Sequence, residues 1–336
     1  MSDIVFHTPS ANNSNEHIYK KLYTIETSRF QHCFIPRICS YYTNQITIIA
    51  VAVDKKLNLV TFPTKTKEKP KVKKFSFEES INSISICEDD KNIEQYLLLV
   101  VTKNEAFIID SSSIITHVDI FPVTSAIICL YENNIFIISG SDNGLILKDT
   151  MSKPGKSQKI DPGFDSGISV LQLSQTKELI ACGFLNGSVC LLKTSTLECF
   201  WKQIFSYGSI RAFAWNSLDR ALAFAAQDDN FYIINLNSNY STTCFEGHSS
   251  FINSISFDPC GKNDSQTIFT TAEDATIGIW IFDINNKDQN SDLASRSVFI
   301  GPFENTIRDI QAMKYFVVTV DTCGTIVCWR KTKPNK

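Results

Sequence analysis

Few residues in this chain are spaced for chemistry. Five histidines, His7, His17, His32, His117 and His248, are scattered, and none lies three or four residues from another histidine or a cysteine. Zinc ligands usually come in such close pairs, so no metal site and no cofactor is expected. His248 with Asp274 would offer a base and an orienting carboxylate, the pairing that general-base chemistry uses. Ser139-Gly140-Ser141-Asp142-Asn143-Gly144 has the composition of a phosphate cradle. No helical pattern follows it, so it reads as a hairpin turn. The sequence holds no H-E-x-x-H, G-x-S-x-G, Walker A or G-x-G-x-x-G motif, which leaves the common hydrolase and nucleotide-binding readings without support.

Two other groups invite a role. Lys65, Lys67, Lys69, Lys71, Lys73 and Lys74 alternate with Thr, Glu, Pro and Val. Such a run can grip phosphates, as RNA binding would require, or meet an acidic protein. It can equally coat a solvated strand edge and keep that edge from pairing. No aromatic residue interleaves the run before Phe75, so base stacking has little support and the solvated edge is preferred. The 11 cysteines contain no C-x-x-C pair and read as reduced thiols of a cytosolic or nuclear protein. Cys129, Cys182, Cys190 and Cys328 fall in strand-like runs, where cysteine serves as a small apolar residue. Cys323 falls in a turn.

The elements that must carry these residues are strands. The chain has 336 residues, 43% apolar and 20% charged, with a net charge of −3. That balance excludes a basic nucleic-acid binder over the whole chain and a highly charged disordered protein. The longest uncharged apolar run, Ile46–Val53, is far short of the roughly 20 residues of a membrane helix. The start shows no secretory pattern, so an intracellular place, cytoplasmic or nuclear, is expected, with neither membrane nor small-molecule substrate. Short β-branched and aromatic runs are broken by Asp, Asn, Gly and Lys turns, and no helical periodicity exceeds two turns. The chain is predicted to be all-β.

One pattern recurs: an aliphatic residue, two variable residues, then two apolar residues one apart. It reads Ile81-Asn82-Ser83-Ile84-Ser85-Ile86 and returns from Ile168, Ile210, Ile252 and Ile307, with weaker copies from Ile35 and Ser125. Each copy leads through a second strand to a turn, centred on Asp54, Lys103, Asp142, Asn186, Asp228, Asp274 and Cys323, 39 to 49 residues apart. Four-stranded propeller blades repeat every ~40–45 residues.

On these residues the sequence resembles the WD40 repeat family. The best copy is Gly247-His248, Ile252 to Phe257, then Thr270, Asp274 and Trp280. The resemblance implies that His248, Thr270, Asp274 and Trp280 form a structural hydrogen-bonded set rather than a catalytic one. The last copy keeps Thr319 and Trp329 but has Cys323 at the Asp position. Elsewhere the Trp position is held by Val60, Ile109, Lys148, Leu192 and Ile234. The expected fold is a single seven-bladed β-propeller of four-stranded antiparallel blades over residues 17–331. Residues 1–16 would be a disordered polar tail and 332–336 a basic one. Too little chain follows Trp329 for an outer strand, so residues 18–25 are expected to supply it and close the ring.

The resemblance also implies a partner site at the channel mouth, lined by residues flanking the first aliphatic of each repeat. Phe34, Asn82, Arg211, Phe251, Asn253 and Arg308 are the candidates. Arginine forks and aromatic anchors together suit an acidic peptide. The competing reading is that Arg211 and Arg308 pair with nearby acids such as Asp309. Function is therefore expected to be that of a non-catalytic scaffold or adaptor that binds other proteins within a multiprotein complex. The alternative is an RNA-associated, non-catalytic subunit of a tRNA methyltransferase-like complex, with the lysine run on phosphates.

Overall fold

The computed structural model describes residues 5–7, 18–26, 37–42, 46–63, 70–88, 96–110, 114–119, 123–131, 134–150, 157–205, 208–260, 265–283 and 295–332. Among them every regular element is a strand. The strands form seven antiparallel sheets, each with four strands in sequence order except the last. They are the blades of a seven-bladed β-propeller: blade one (37–76), two (83–119), three (125–160), four (168–204), five (210–245), six (252–300) and seven (307–332).

Blade seven takes its fourth strand from the other end of the chain. Ile18–Glu26 pairs antiparallel with Thr325–Thr332, with Lys21 opposite Trp329 and Glu26 opposite Thr325. The edge of Thr325–Thr332 is thereby satisfied, as expected from the strand count. Beyond it Val5–His7 adds a fifth strand, pairing with Ile18–Lys20. This corrects the expectation of a structureless tail over 1–16. Val5-Phe6-His7 is a short apolar run able to pair with Ile18–Glu26. The other residues of that tail, and residues 333–336, lie outside the described residues.

The chain divides into two compact units, Arg37–Arg211 and a second made of Met1–Pro36 with Ala212–Lys336. In each, the core lies between successive blades. In the first unit Ala50, Leu57 and Leu59 pack with Tyr96, Leu98 and Val100, and Ile138 and Ile146 pack with Ile168, Ile180 and Cys182. In the second, Ala223 and Phe231 pack with Ile252, Ile268 and Trp280, and Phe269 and Ile279 with Ile310 and Trp329. Middle strands are thus covered on both faces, which is why Ala221–Ala226 and Phe316–Asp321 are buried along their length and why Ala221–Ala226 reads as a continuous apolar run. Outer strands such as Lys71–Ser76 are mostly exposed.

Serines of the repeat stitch neighbouring first strands together. The Ser83 hydroxyl donates to Ala126 O, and Ile128 N donates to Ser85 Oγ at 3.2 Å. Ile310 N and Ala312 N donate to Ser254 Oγ and Ser256 Oγ at 3.4 and 2.9 Å. The shared Ile-Asn-Ser-Ile-Ser segment of blades two and six is thus an inter-blade fastening. These bonds occupy one carbonyl and three N–H groups of the first strands.

Candidate functional site

Among the described residues one histidine–carboxylate pair is present, in blade six. His248 precedes the first strand, Thr270 is on the second, Asp274 is in the hairpin turn and Trp280 is on the third. The four residues meet in a chain. Trp280 Nε1–H donates to Thr270 Oγ1 at 2.8 Å. His248 Nε2 lies 2.7 Å from the same hydroxyl, and His248 Nδ1 lies 2.9 Å from Asp274 Oδ2. Asp274 also accepts from Thr276 N, the Thr276 hydroxyl and Ser249 N.

The lowered pKa of His248 favours a neutral ring. In that state the Thr270 hydroxyl accepts from the indole and donates to His248 Nε2, while His248 Nδ1–H goes to the Asp274 carboxylate. Burial pushes the pKa of His248 down, against the opposing pull of Asp274. Burial alone would raise the carboxyl of Asp274, but bonds from Thr276 and His248 bring it below its ordinary value. The His248 side chain has no solvent exposure, and both its ring nitrogens are occupied. A base in this state has no lone pair to offer a substrate.

Packing leaves no slack around the chain of bonds. Trp280 meets the Phe231 ring at 4.9 Å and the Phe299 ring at 5.3 Å, both edge-on. Gly278 lies beneath. A Cβ there would come within 2.6 Å of Thr270 Oγ1 and of Trp280 Nε1, so only glycine leaves room for the indole–hydroxyl bond.

The other blades keep parts of this arrangement. In blade seven Trp329 Nε1 donates to Thr319 Oγ1 at 3.3 Å. Cys323 cannot accept the turn N–H bonds, and Asp321 does so instead, from Cys323 N at 2.9 Å and Thr325 N at 2.8 Å. Sequence spacing missed Asp321 because it stands two residues ahead of the usual position. In blade three the turn acceptor is Asn143, whose Oδ1 faces Leu145 N, rather than Asp142. The reason is Gly144, whose positive φ of 83° sets the hairpin one residue later. Lys148 consequently leaves the Trp position. It is 7% exposed, donating to Thr194 O at 2.7 Å and Ser195 O at 3.1 Å, with Nζ 4.3 Å from the Phe136 ring centroid. In blade five the Tyr232 hydroxyl donates to Asp228 Oδ2 at 2.5 Å.

Of the residues expected at the channel mouth, Phe34 lies outside the described residues, and Arg211 belongs to a different compact unit from Phe251, Asn253 and Arg308. Within the second unit Asn253 Nδ2 donates to Ile307 O, and Arg308 Nη1 donates to Asn253 Oδ1 at 3.2 Å and to Glu273 Oε1 at 3.1 Å. The acid paired with Arg308 is thus Glu273, not Asp309, which accepts instead from the Ser254 hydroxyl. Phe251 is half-buried beside them, and its carbonyl accepts from Glu273 N. Asn82 repeats the Asn253 bond, donating to Val123 O at 3.2 Å.

Lys65, Lys67 and Lys69 lie outside the described residues. Lys71, Lys73 and Lys74 are exposed on the outer strand of blade one, with Lys73 Nζ 5.1 Å from the Phe75 ring centroid. Among the described residues ten cysteines are free thiols, no group of three or more His, Cys, Asp or Glu is placed to hold a metal ion, and no helix is long and apolar enough to cross a membrane.

Comparison with known proteins places this geometry. The family model described as "WD domain, G-beta repeat" matches residues 239–280, the segment that holds His248, Thr270, Asp274 and Trp280. A search of curated proteins finds no match. Among solved structures, a chain in the "Crystal Structure of Mitotic Checkpoint Complex" is similar at a TM-score of 0.70 and 13% identity, over 92% of this chain and 91% of that one. At that identity the likeness concerns the fold.

Proposed function

We propose that this chain is a non-catalytic WD40-type scaffold that binds other proteins within a multiprotein assembly, inside the cell. The observation that carries the reading is the state of His248. Among the described residues the histidine–carboxylate pair is a buried tie between strands with both ring nitrogens bonded. The WD40 match over that segment supports the same role. Free thiols at the described cysteines fit a reducing compartment.

The partner surface we assign to Phe251, Asn253 and Arg308. Arg308 is held flat by Glu273 and Asn253, and its Nε has no acceptor. A carboxylate of an acidic peptide can displace Glu273 and take the guanidinium side-on. Affinity purification of wild type and Arg308→Ala, followed by mass spectrometry and RNA quantification, tests this. Loss of a protein partner from an equally stable variant supports the scaffold reading. Retention of every protein, with salt-sensitive RNA lost on neutralising Lys71, Lys73 and Lys74, overturns it in favour of the RNA-associated role.

A further inference from the structure

A second binding surface lies in blade one and does not depend on the Arg308 site. Register puts Ile48 opposite Thr61, Thr61 opposite Lys71 and Leu59 opposite Lys73. Directly opposed residues share a sheet face, and so do residues two apart on a strand. One face therefore runs from Ile46 and Ile48 through Leu59 and Thr61 to Lys71 and Lys73. Near the Asp54 turn blade two covers this face, where Ala50 and Leu57 pack among Leu98 and Val100. At the other end of the blade the cover is incomplete. A cavity of about 360 Å³ opens there, lined by the residues of that face together with Val72 and Tyr96.

That volume falls in the range of roughly 300–1,000 Å³ typical of ligand sites. Its wall is aliphatic except for Thr61, the Tyr96 ring and two exposed lysines, and none of its lining residues is acidic. Burial and the charge of Asp110 raise the Tyr96 phenol to about 12, so the phenol itself is uncharged at neutral pH. Beside the cavity runs the strand Lys71–Ser76, which is the last in its sheet. Among the described residues no further strand pairs with it, and the outer edge of such a strand can offer backbone donors and acceptors to an extended chain, the ordinary means of strand addition.

We propose that this cavity and strand edge dock an extended, acidic segment of a partner protein, with one large apolar side chain in the cavity and flanking carboxylates on Lys71 and Lys73. The lysines select the partner's charge. They repel a second lysine-bearing edge, including that of another copy of this chain, while attracting an acidic one. An extended peptide uses all three features at once: cavity, cations and backbone edge.

The test is fluorescence anisotropy of the full chain with a fluorescein-labelled decapeptide carrying one phenylalanine among glutamates. Matched peptides have alanine for the phenylalanine, or lysines for the glutamates. The glutamate–phenylalanine peptide should bind saturably, and each matched peptide at least tenfold more weakly. The double variant Lys71→Glu with Lys73→Glu, both on an exposed strand, should keep the melting temperature and lose binding at least tenfold. Thr61→Trp should fill the cavity and weaken the phenylalanine peptide more than the alanine one. The same comparisons are made in an Arg308→Ala background, which removes the acidic-peptide surface assigned to Phe251, Asn253 and Arg308 and leaves this site alone to be read. Equal binding of the alanine peptide, or unchanged affinity in the lysine variant, overturns the proposal. So does an RNA oligonucleotide that binds at this strand while the peptide does not.

Discussion

Four residues ahead of its first strand, blade six has His248 and blade four has Phe164. The correspondence continues strand by strand. Cys182 pairs with Cys190 as Thr270 pairs with Gly278, and Leu192 pairs with Ile180 as Trp280 pairs with Ile268. Where blade six runs indole to hydroxyl to imidazole to carboxylate, blade four sets the Phe164 ring against Phe184 at 4.6 Å and fills the rest with thiol and leucine. Both arrangements tie the approach segment to the sheet. They differ in how they fail. An apolar contact loses area when truncated, and its neighbours relax into the gap. A buried polar chain leaves the next group unsatisfied, at about 1–3 kcal/mol for each orphan. Blade six is therefore the brittle blade, and blade four the tolerant one.

The sharpest way to break the contrast is Trp280→Ala. It removes the ring between Phe231 and Phe299 and strands Thr270, and should cost about 3–5 kcal/mol. Phe164→Ala, at a half-buried site, should cost clearly less in the same denaturant titration. Equal costs would refute the distinction. Next comes Gly278→Ala, whose added methyl meets Thr270 Oγ1 and Trp280 Nε1. Overpacking of this kind costs about 1–3 kcal/mol, and the indole N–H should lose protection in hydrogen exchange.

Acid gives a smaller and more diagnostic effect. The pKa of His248 is lowered in the folded protein, so below about 6.5 the unfolded chain binds a proton that the folded one refuses. Stability is therefore complete above that pH and declines as pH falls through it, with Asp274, also lowered, extending the loss further into acid. Melting curves from pH 7 to 5 should show the decline, and His248→Phe, which copies blade four, should flatten it. A melting temperature that rises on acidification would mean the imidazole is charged in the fold. The smallest expected change is a gain. Ala275 sits at φ 60° where Gly144, Gly187 and Gly324 occupy the same place in other turns. Ala275→Gly relieves about 1–2 kcal/mol of left-handed strain against about 0.5–1 kcal/mol of glycine entropy. The melting temperature should rise by a degree or two, and a fall would show the strain to be absent.

Local periodicity carried the architecture. The repeat from Ile81 to Ile307 and the strand at 18–25 were both legible, because pleat alternation and strand counting act within or between runs visible on the page. The side-chain partners were less so. Asn82 and Asn253 stand where the repeat puts contact residues, yet their amides reach carbonyls 41 and 54 residues away, and no spacing rule encodes such a bond. Glu273 was hidden beside the more conspicuous Asp274. Asn143 escaped because its turn was counted from Asp142, whereas the positive φ of Gly144 turns Asn143 towards Leu145 N, and Asp321 escaped because it stands two residues ahead of Cys323.

The pairing of Ile18–Glu26 with Thr325–Thr332 also has a consequence for synthesis. Glu26 and its partner Thr325 are roughly 300 residues apart, and at about 5–20 residues per second a ribosome needs some 15–60 s to bridge them. Through that interval Ile18–Glu26 lacks the partner edge on Thr325–Thr332, and blade seven carries an open flank until the two strands meet. A chaperone that shields residues 18–26 would therefore act about 15–60 s of synthesis before the strand it protects finds its partner.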